Sequence, residues 1–174
     1  VKGLIKAAIR DNDPVYVMEN TLLYGTTGEV PDPADGDHVV PLGLADVKRE
    51  GKDISLIAHG RSVIQALAAA EILKEKHGID AEVLDLRSIR PLDQEAILKT
   101  VKKTNRVVLV DESKGFGGVS AMVSHIIQEN AFDYLDAPIK RVTTIDAPAI
   151  YSPHIENEQL PNPRRIVEKV LTIA

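Results

Sequence analysis

The chain beyond residue 50 predicts an α/β fold, a mostly parallel sheet with helices on both faces. Strand-length apolar runs alternate there with helix-length runs of 3.6-residue periodicity, which is the pattern of stacked β-α units. The strand runs Ile54–Ala58 and Arg106–Asp111 are apolar on both sides, as in strands covered above and below. Start and stop residues also punctuate the helical runs. Gly78 follows the first, Asp93 precedes the second, and Asn162-Pro163 opens the last.

In order, residues 1–12 read as a short helix, with Leu4, Ile5, Ala8 and Ile9 at helical spacing and Asp11-Asn12-Asp13-Pro14 as its stop. Val15–Glu19 reads as a short strand. Residues 25–46 hold Gly25, Gly28, Pro31, Pro33, Gly36, Pro41 and Gly43, a density of turn residues that marks a linker. Helix, strand and linker together suggest residues 1–24 as the tail end of a preceding domain, with the main domain over 47–174. The chain opens on Val1 without an initiator Met, and the expectation is that it begins inside a longer protein.

Ile54–Ala58 is the first strand of the main domain. His59-Gly60-Arg61-Ser62 turns it into a helix to about Lys76, whose buried stripe is Val63, Ala66, Leu67, Ala70 and Leu73. Ala81–Leu86 is the second strand. Asp93 caps the next helix, which buries Ala96, Ile97 and Val101. Arg106–Asp111 is the third strand. Glu112–Gly118 loops into a helix with Val119, Met122, Val123, Ile126 and Ile127 on one face. Ile139–Ile145 is the fourth strand. Residues 146–161 read as irregular, and the last helix buries Ile166, Val167, Val170 and Leu171.

The 174 residues are 44% hydrophobic, enough for one core without metals or disulfides, and there is no cysteine. A net charge of -5 argues against a nucleic-acid surface, which would need a basic patch, and no apolar run approaches the roughly 20 residues of a membrane span. The basic pairs Lys102-Lys103 and Arg164-Arg165 read as solvated faces. His38, His59, His77, His125 and His154 show no metal-ligand spacing. Ser120 lacks the second glycine of a nucleophile elbow. Gly115-Phe116-Gly117-Gly118 lies between strand and helix, where backbone N–H groups favour an anion, but it matches neither phosphate-binding spacing and reads first as a tight turn.

Ligands of open α/β sheets meet the carboxyl ends of the parallel strands. Those ends supply His59, Arg87, Asp111, Glu112 and Asp146. Two readings stay open for this rim: contact with a partner subunit, or side chains that satisfy each other, Arg87 with Asp111 or with nearby carbonyls.

Several stretches resemble one family. They are PVYVMENTLLYG (14–25), VPLG (40–43), ISLIAHG (54–60), VLDLRSIRPLD (83–93), VKKTNRVVLVDE (101–112), FDYLDAPI (132–139) and DAP (146–148) with Tyr151. Together they resemble the C-terminal part of the β subunit of the E1 component of 2-oxo acid dehydrogenases, nearest to the pyruvate type. The D-L-R-x-x-x-P-x-D pattern is shared more widely by transketolase-like C-terminal domains.

The resemblance implies a three-layer α/β/α sandwich with a mixed sheet, one edge strand antiparallel. It implies that residues 1–24 close a pyrimidine-binding domain. It implies thiamine diphosphate and Mg²⁺ in the intact enzyme, held outside this chain, so no catalytic, cofactor or metal residue is carried over. The implied partners are an E1 α subunit, a second β subunit in a heterotetramer, and the E2 acyltransferase core. The implied location is the cytoplasm of a bacterium, or the mitochondrial matrix or plastid of a eukaryote.

His59, Arg87, Arg90, Asp111, Glu112, Arg164 and Arg165 are the candidate interface residues. An acidic residue serves E2 docking in the family's last helix; here that position carries Arg165, with Arg164 before it. The expected activity is therefore that of a 2-oxo acid dehydrogenase subunit, silent in this chain alone. The rivals are a branched-chain or transketolase-like relative, an interaction module, and an anion-binding domain at Gly115–Gly118.

Overall fold

The structure, a computed structural model, describes residues 1–174 except Pro33 and Asp35. Pro33, one of the turn residues of the expected linker, thus lies outside the described residues. The elements are α1 (Lys2–Arg10), β1 (Asp46–Arg49), β2 (Ile54–Ala58), α2 (Ser62–His77), β3 (Ala81–Asp85), α3 (Gln94–Thr104), β4 (Val107–Lys114), α4 (Val119–Ala131), β5 (Lys140–Thr144), α5 (Pro153–Gln159) and α6 (Pro163–Val170). Short 3₁₀ turns cover Thr21–Leu23 and Phe132–Tyr134.

The five strands lie in the order β1-β3-β2-β4-β5. All neighbours are parallel except β1, which runs antiparallel to β3 at one edge. Leu56 of β2 sits level with Val83 of β3 and Val108 of β4, and Val110 with Val142 of β5. These residues form one face, packed against Ala66, Ala70 and Leu73 of α2 and Ile166 and Val170 of α6. Ile57, Leu84 and Leu109 point the other way and meet Ile97 and Val101 of α3 and Val123 and Ile127 of α4. Helices on both faces explain why β2 is buried at every position. Each fully buried Leu or Ile contributes about 1.5–3 kcal/mol, so these two clusters hold the sandwich.

The punctuation works as read. Gly78 closes α2 at φ 69°, a left-handed conformation that costs glycine nothing. Asp93 accepts from Ala96 N–H at 3.0 Å, and its other oxygen takes Ala45 N–H at 2.9 Å, tying α3 to the segment entering β1. Asn162 accepts from Arg165 N–H at 3.0 Å, with Pro163 at the first helical position.

Four stretches differ from the sequence reading. Val15–Glu19 forms no strand: it has no regular structure, with Tyr16 and Met18 largely in solvent. The residues have strand character, but among the described residues no strand pairs with them. Asp46–Arg49 is a strand the pattern did not reveal, because DVKR has a single apolar residue and is held by backbone pairing to β3. Pro153–Gln159 is helical rather than irregular, since Pro153 falls in the first turn, where no N–H is needed. Finally, β4 continues to Lys114, past the expected loop start, across an irregularity between Asp111 and Lys114.

Candidate functional site at the strand ends

Asp111 is the centre of the rim. It lies near the end of β4 and is 1% exposed. Oδ1 accepts from Ser113 N–H at 2.9 Å and Oδ2 from Ser120 N–H at 2.9 Å. Ser120 stands in the first turn of α4, whose N-cap residue, Gly118, has no side chain to offer. Asp111 therefore supplies from the neighbouring strand the carboxylate that a helix start favours. Gly118 is required for this: a Cβ there would fall 2.1 Å from Ser113 Oγ and 2.8 Å from Asp111 Oδ2.

His59, at the end of β2, places Nε2 3.4 Å from Asp111 Oδ1, too long for a good hydrogen bond. It is a facing neighbour rather than a bonded partner, and its Nε2 has no hydrogen-bond partner among the described residues. Burial alone would raise the Asp111 carboxyl. The approach of His59 and the N–H groups of Ser120 and Ser113 outweigh burial and hold it well below the usual carboxylate range.

Glu112 faces outward beside this cluster. Arg61 Nη1 donates to its Oε1 at 2.8 Å, and Asn20 Nδ2 to its Oε2 at 3.0 Å. Glu112 thus pins the N-terminal segment to the strand ends. Asn20→Ala is expected to leave global stability within about 1 kcal/mol, since the bond is partly exposed. It should speed limited proteolysis between residues 14 and 25, measured by mass spectrometry of the nicked chain.

Arg87 and Asp111 do not pair with one another. Arg87 adopts φ 54° and donates from Nη2 to Asp46 Oδ2 on β1 at 2.5 Å. Its N–H donates to Asp85 Oδ1 at 3.0 Å. Burial raises the Asp85 carboxyl, and the Arg87 N–H bond opposes that only in part. Arg87 therefore locks the antiparallel edge strand. Arg90 is exposed in the following loop, and Asp146 reaches Lys114 at 3.4 Å.

The two arginines of α6 differ. Arg164 is exposed and bonds Glu168 Oε1 at 2.7 Å as well as Glu158. Arg165 is turned inward: Nη1 donates to Gln159 O at 2.9 Å and Leu160 O at 2.8 Å, and Nη2 to Thr143 O at 2.9 Å. It bolts α5 and α6 to β5. The residues that sequence reasoning missed are Asn20, Asp46, Arg61, Ser113 and Ser120. Only Ser113 carried a local signal, as an Asp-x-Ser turn.

Among the described residues the cavity at the rim is too small for a metabolite. The cavity bounded by Ile57, His59, Leu86, Asp111, Ser120 and Val123 holds about 10 Å³, whereas small-molecule sites measure roughly 300–1,000 Å³. Among the described residues no three His, Asp or Glu side chains are placed to hold a metal ion. The helix start that could face a diphosphate is filled by Asp111. These residues therefore do not fit thiamine diphosphate or Mg²⁺, and the anion-site reading of Gly115–Gly118 is corrected for the same reason.

Among the described residues no helix is long and apolar enough to cross a membrane. Comparison with known proteins agrees with the architecture. The chain is 47% identical over 170 residues to the mitochondrial pyruvate dehydrogenase E1 component subunit beta of Saccharomyces cerevisiae, covering 97% of this chain and 46% of that protein. It is 45% identical over 172 residues to the acetoin:2,6-dichlorophenolindophenol oxidoreductase subunit beta of Bacillus subtilis, covering 99% of this chain and 49% of that one. The chain thus spans about half the length of the curated relatives it matches. A solved split-gene transketolase, described as an inactive beta4 tetramer, superposes with TM-score 0.71 at 28% identity, over 84% of this chain and 46% of that one. The family model described as transketolase, C-terminal domain, matches residues 43–166, from the turn before β1 into α6, and the chain belongs to that family.

Proposed function

We propose that this chain is the assembly region of a β subunit of a thiamine-diphosphate-dependent 2-oxo acid dehydrogenase E1, of the pyruvate type. The single observation that carries this is the closed rim. At the strand ends, where an α/β sheet takes its ligand, Arg87, Asp111 and Glu112 are engaged by the chain itself, and Asp111 fills the helix start. Such a surface presents charge to a partner.

In this reading residues 1–24 close a preceding pyrimidine-binding domain, 25–46 link, and 47–174 form the assembly domain. Thiamine diphosphate and Mg²⁺ belong to the intact enzyme and supply the decarboxylation chemistry there. His59, Arg87, Arg90, Glu112 and Arg164 serve contacts with the α subunit, a second β subunit or the E2 core, and Asp111 and Arg165, turned inward, hold the elements that carry them. The enzyme works in the cytoplasm of a bacterium, or in the mitochondrial matrix or plastid of a eukaryote.

The pure chain, given pyruvate, thiamine diphosphate and Mg²⁺, is expected to release no CO₂ above a catalyst-free control. Measurable turnover would overturn the assignment. In an assembled enzyme Arg87→Ala should weaken subunit association, read by sedimentation, while leaving cofactor affinity nearly unchanged. A second reading takes acetoin as the substrate of the parent enzyme, because the relative named for acetoin is as similar as those named for pyruvate. Rates of the assembled enzyme with each substrate separate the two.

A further inference from the structure

The strand β5 closes the sheet on the side away from β1, and its outer edge is only partly used. Two hydrogen bonds show which backbone groups face outward. Thr143 C=O accepts from Arg165 Nη2 at 2.9 Å, and Ile145 N–H donates to Gln159 O at 3.0 Å. In a strand the N–H and C=O of one residue share a side, and the side alternates from residue to residue. The N–H and C=O of Arg141 and the N–H of Thr143 therefore also face away from β4.

A groove of about 290 Å³ runs along this edge, between β5 and α6. Arg141, Thr143, Arg165, Lys169 and Thr172 line it. Glu168 lines it too, but its carboxylate is bonded to Arg164 at 2.7 Å. Lys169 forms no ion pair among the described residues, and Arg141 spends one nitrogen on Gly115 O at 2.8 Å. The groove thus combines unused strand donors and acceptors with net positive charge, on a chain whose overall charge is -5.

We propose that the outer edge of β5 is a docking site for an extended acidic segment of a partner protein, which pairs with Arg141 and Thr143 as an added strand and sets its carboxylates on Lys169 and Arg141. Strand addition draws affinity from main-chain hydrogen bonds and specificity from flanking side chains. Basic residues on an edge also repel a second identical edge, so a further copy of this chain is a poor occupant. The inference rests on the groove and the strand polarity and is independent of which enzyme the chain serves.

The test uses the whole chain and a short alternating Glu-Val peptide as probe, with a Lys-Val peptide and a Glu-Val peptide N-methylated at alternate residues as controls. Amide exchange and chemical shifts are followed by NMR. The Glu-Val peptide should protect the Arg141 and Thr143 amides at about 1 mM, a weak but measurable affinity. Lys169→Glu should weaken binding about tenfold while the thermal midpoint stays put. N-methylation should abolish protection. Unprotected Arg141 and Thr143 amides, equal binding to Lys169→Glu, or equal protection by the Lys-Val peptide would each overturn the proposal.

Discussion

Asp111→Ala is expected to cost about 3–5 kcal/mol of folding stability, because it leaves the buried start of α4 without its acceptor. Asp111→Asn should recover only part of this. One amide oxygen can replace one carboxylate oxygen, but the NH₂ group then faces a second N–H. The pH dependence identifies the cause. The folded Asp111 carboxyl is held below its ordinary value, so the unfolded chain binds the extra proton. Its contribution is complete above about pH 5, where an unfolded aspartate is ionised, and is lost as pH falls below about 4 toward the folded value. Urea midpoints between pH 5 and pH 3 should therefore fall steeply in the wild type and less steeply in Asp111→Asn. Asp85, raised by burial, works with the opposite sign. Its cost grows as pH rises through the ordinary aspartate range, so it partly masks the wild-type slope and remains in the variant. Equal slopes in the two proteins would remove Asp111 from the acid limb.

Lys103→Ala is expected to be the second most damaging change, at about 3 kcal/mol at neutral pH. Lys103 itself is 41% exposed, and its bond to Glu50 at 2.6 Å lies on the surface. The cost arises at the other end. Glu82, on β3, is 2% exposed, and Lys103 is its cationic partner. Thr100 Oγ1 donates to Glu82 Oε1 at 2.5 Å and lies 2.8 Å from Ser55 Oγ, which also meets Thr104 Oγ1 at 2.7 Å. This hydroxyl ladder seats α3 on β2 and β3 in one register. Without Lys103 a buried carboxylate is left on a hydroxyl alone. Adding Glu82→Gln should therefore restore about half of the loss, because the neutral amide needs no counter-charge. If the double variant is no more stable than Lys103→Ala by urea denaturation, the buried charge is not the source of the cost.

Much of the candidate site was visible in the sequence as a list of positions, and of its pairing only the Asp111–Ser113 turn left a local signal. His59, Arg87, Asp111 and Glu112 follow from the rule that ligands meet strand ends. The other bonds do not, because Asp46 for Arg87 and Asn20 for Glu112 lie far along the chain, and Ser120 meets Asp111 only across the loop into α4. Arg165 shows the same limit from the other side. Read as an exposed docking charge, it is turned inward onto three carbonyls of the neighbouring loop and strand.

The sequence by itself determined the α/β class, four of the five strands, the five helices read from it and the caps at Gly78, Asp93 and Asn162. These rest on local causes: hydrophobic periodicity, glycine's access to positive φ, and short side chains that reach an adjacent N–H. Only the tertiary structure decided the rest. A strand exists by pairing, so the charged run Asp46–Arg49 became β1 beside β3, while the apolar run Val15–Glu19, with no pairing strand among the described residues, did not become one. An anion site exists by vacancy, and Asp111 reaching across from β4 closed the one that the glycines of residues 115–118 suggested.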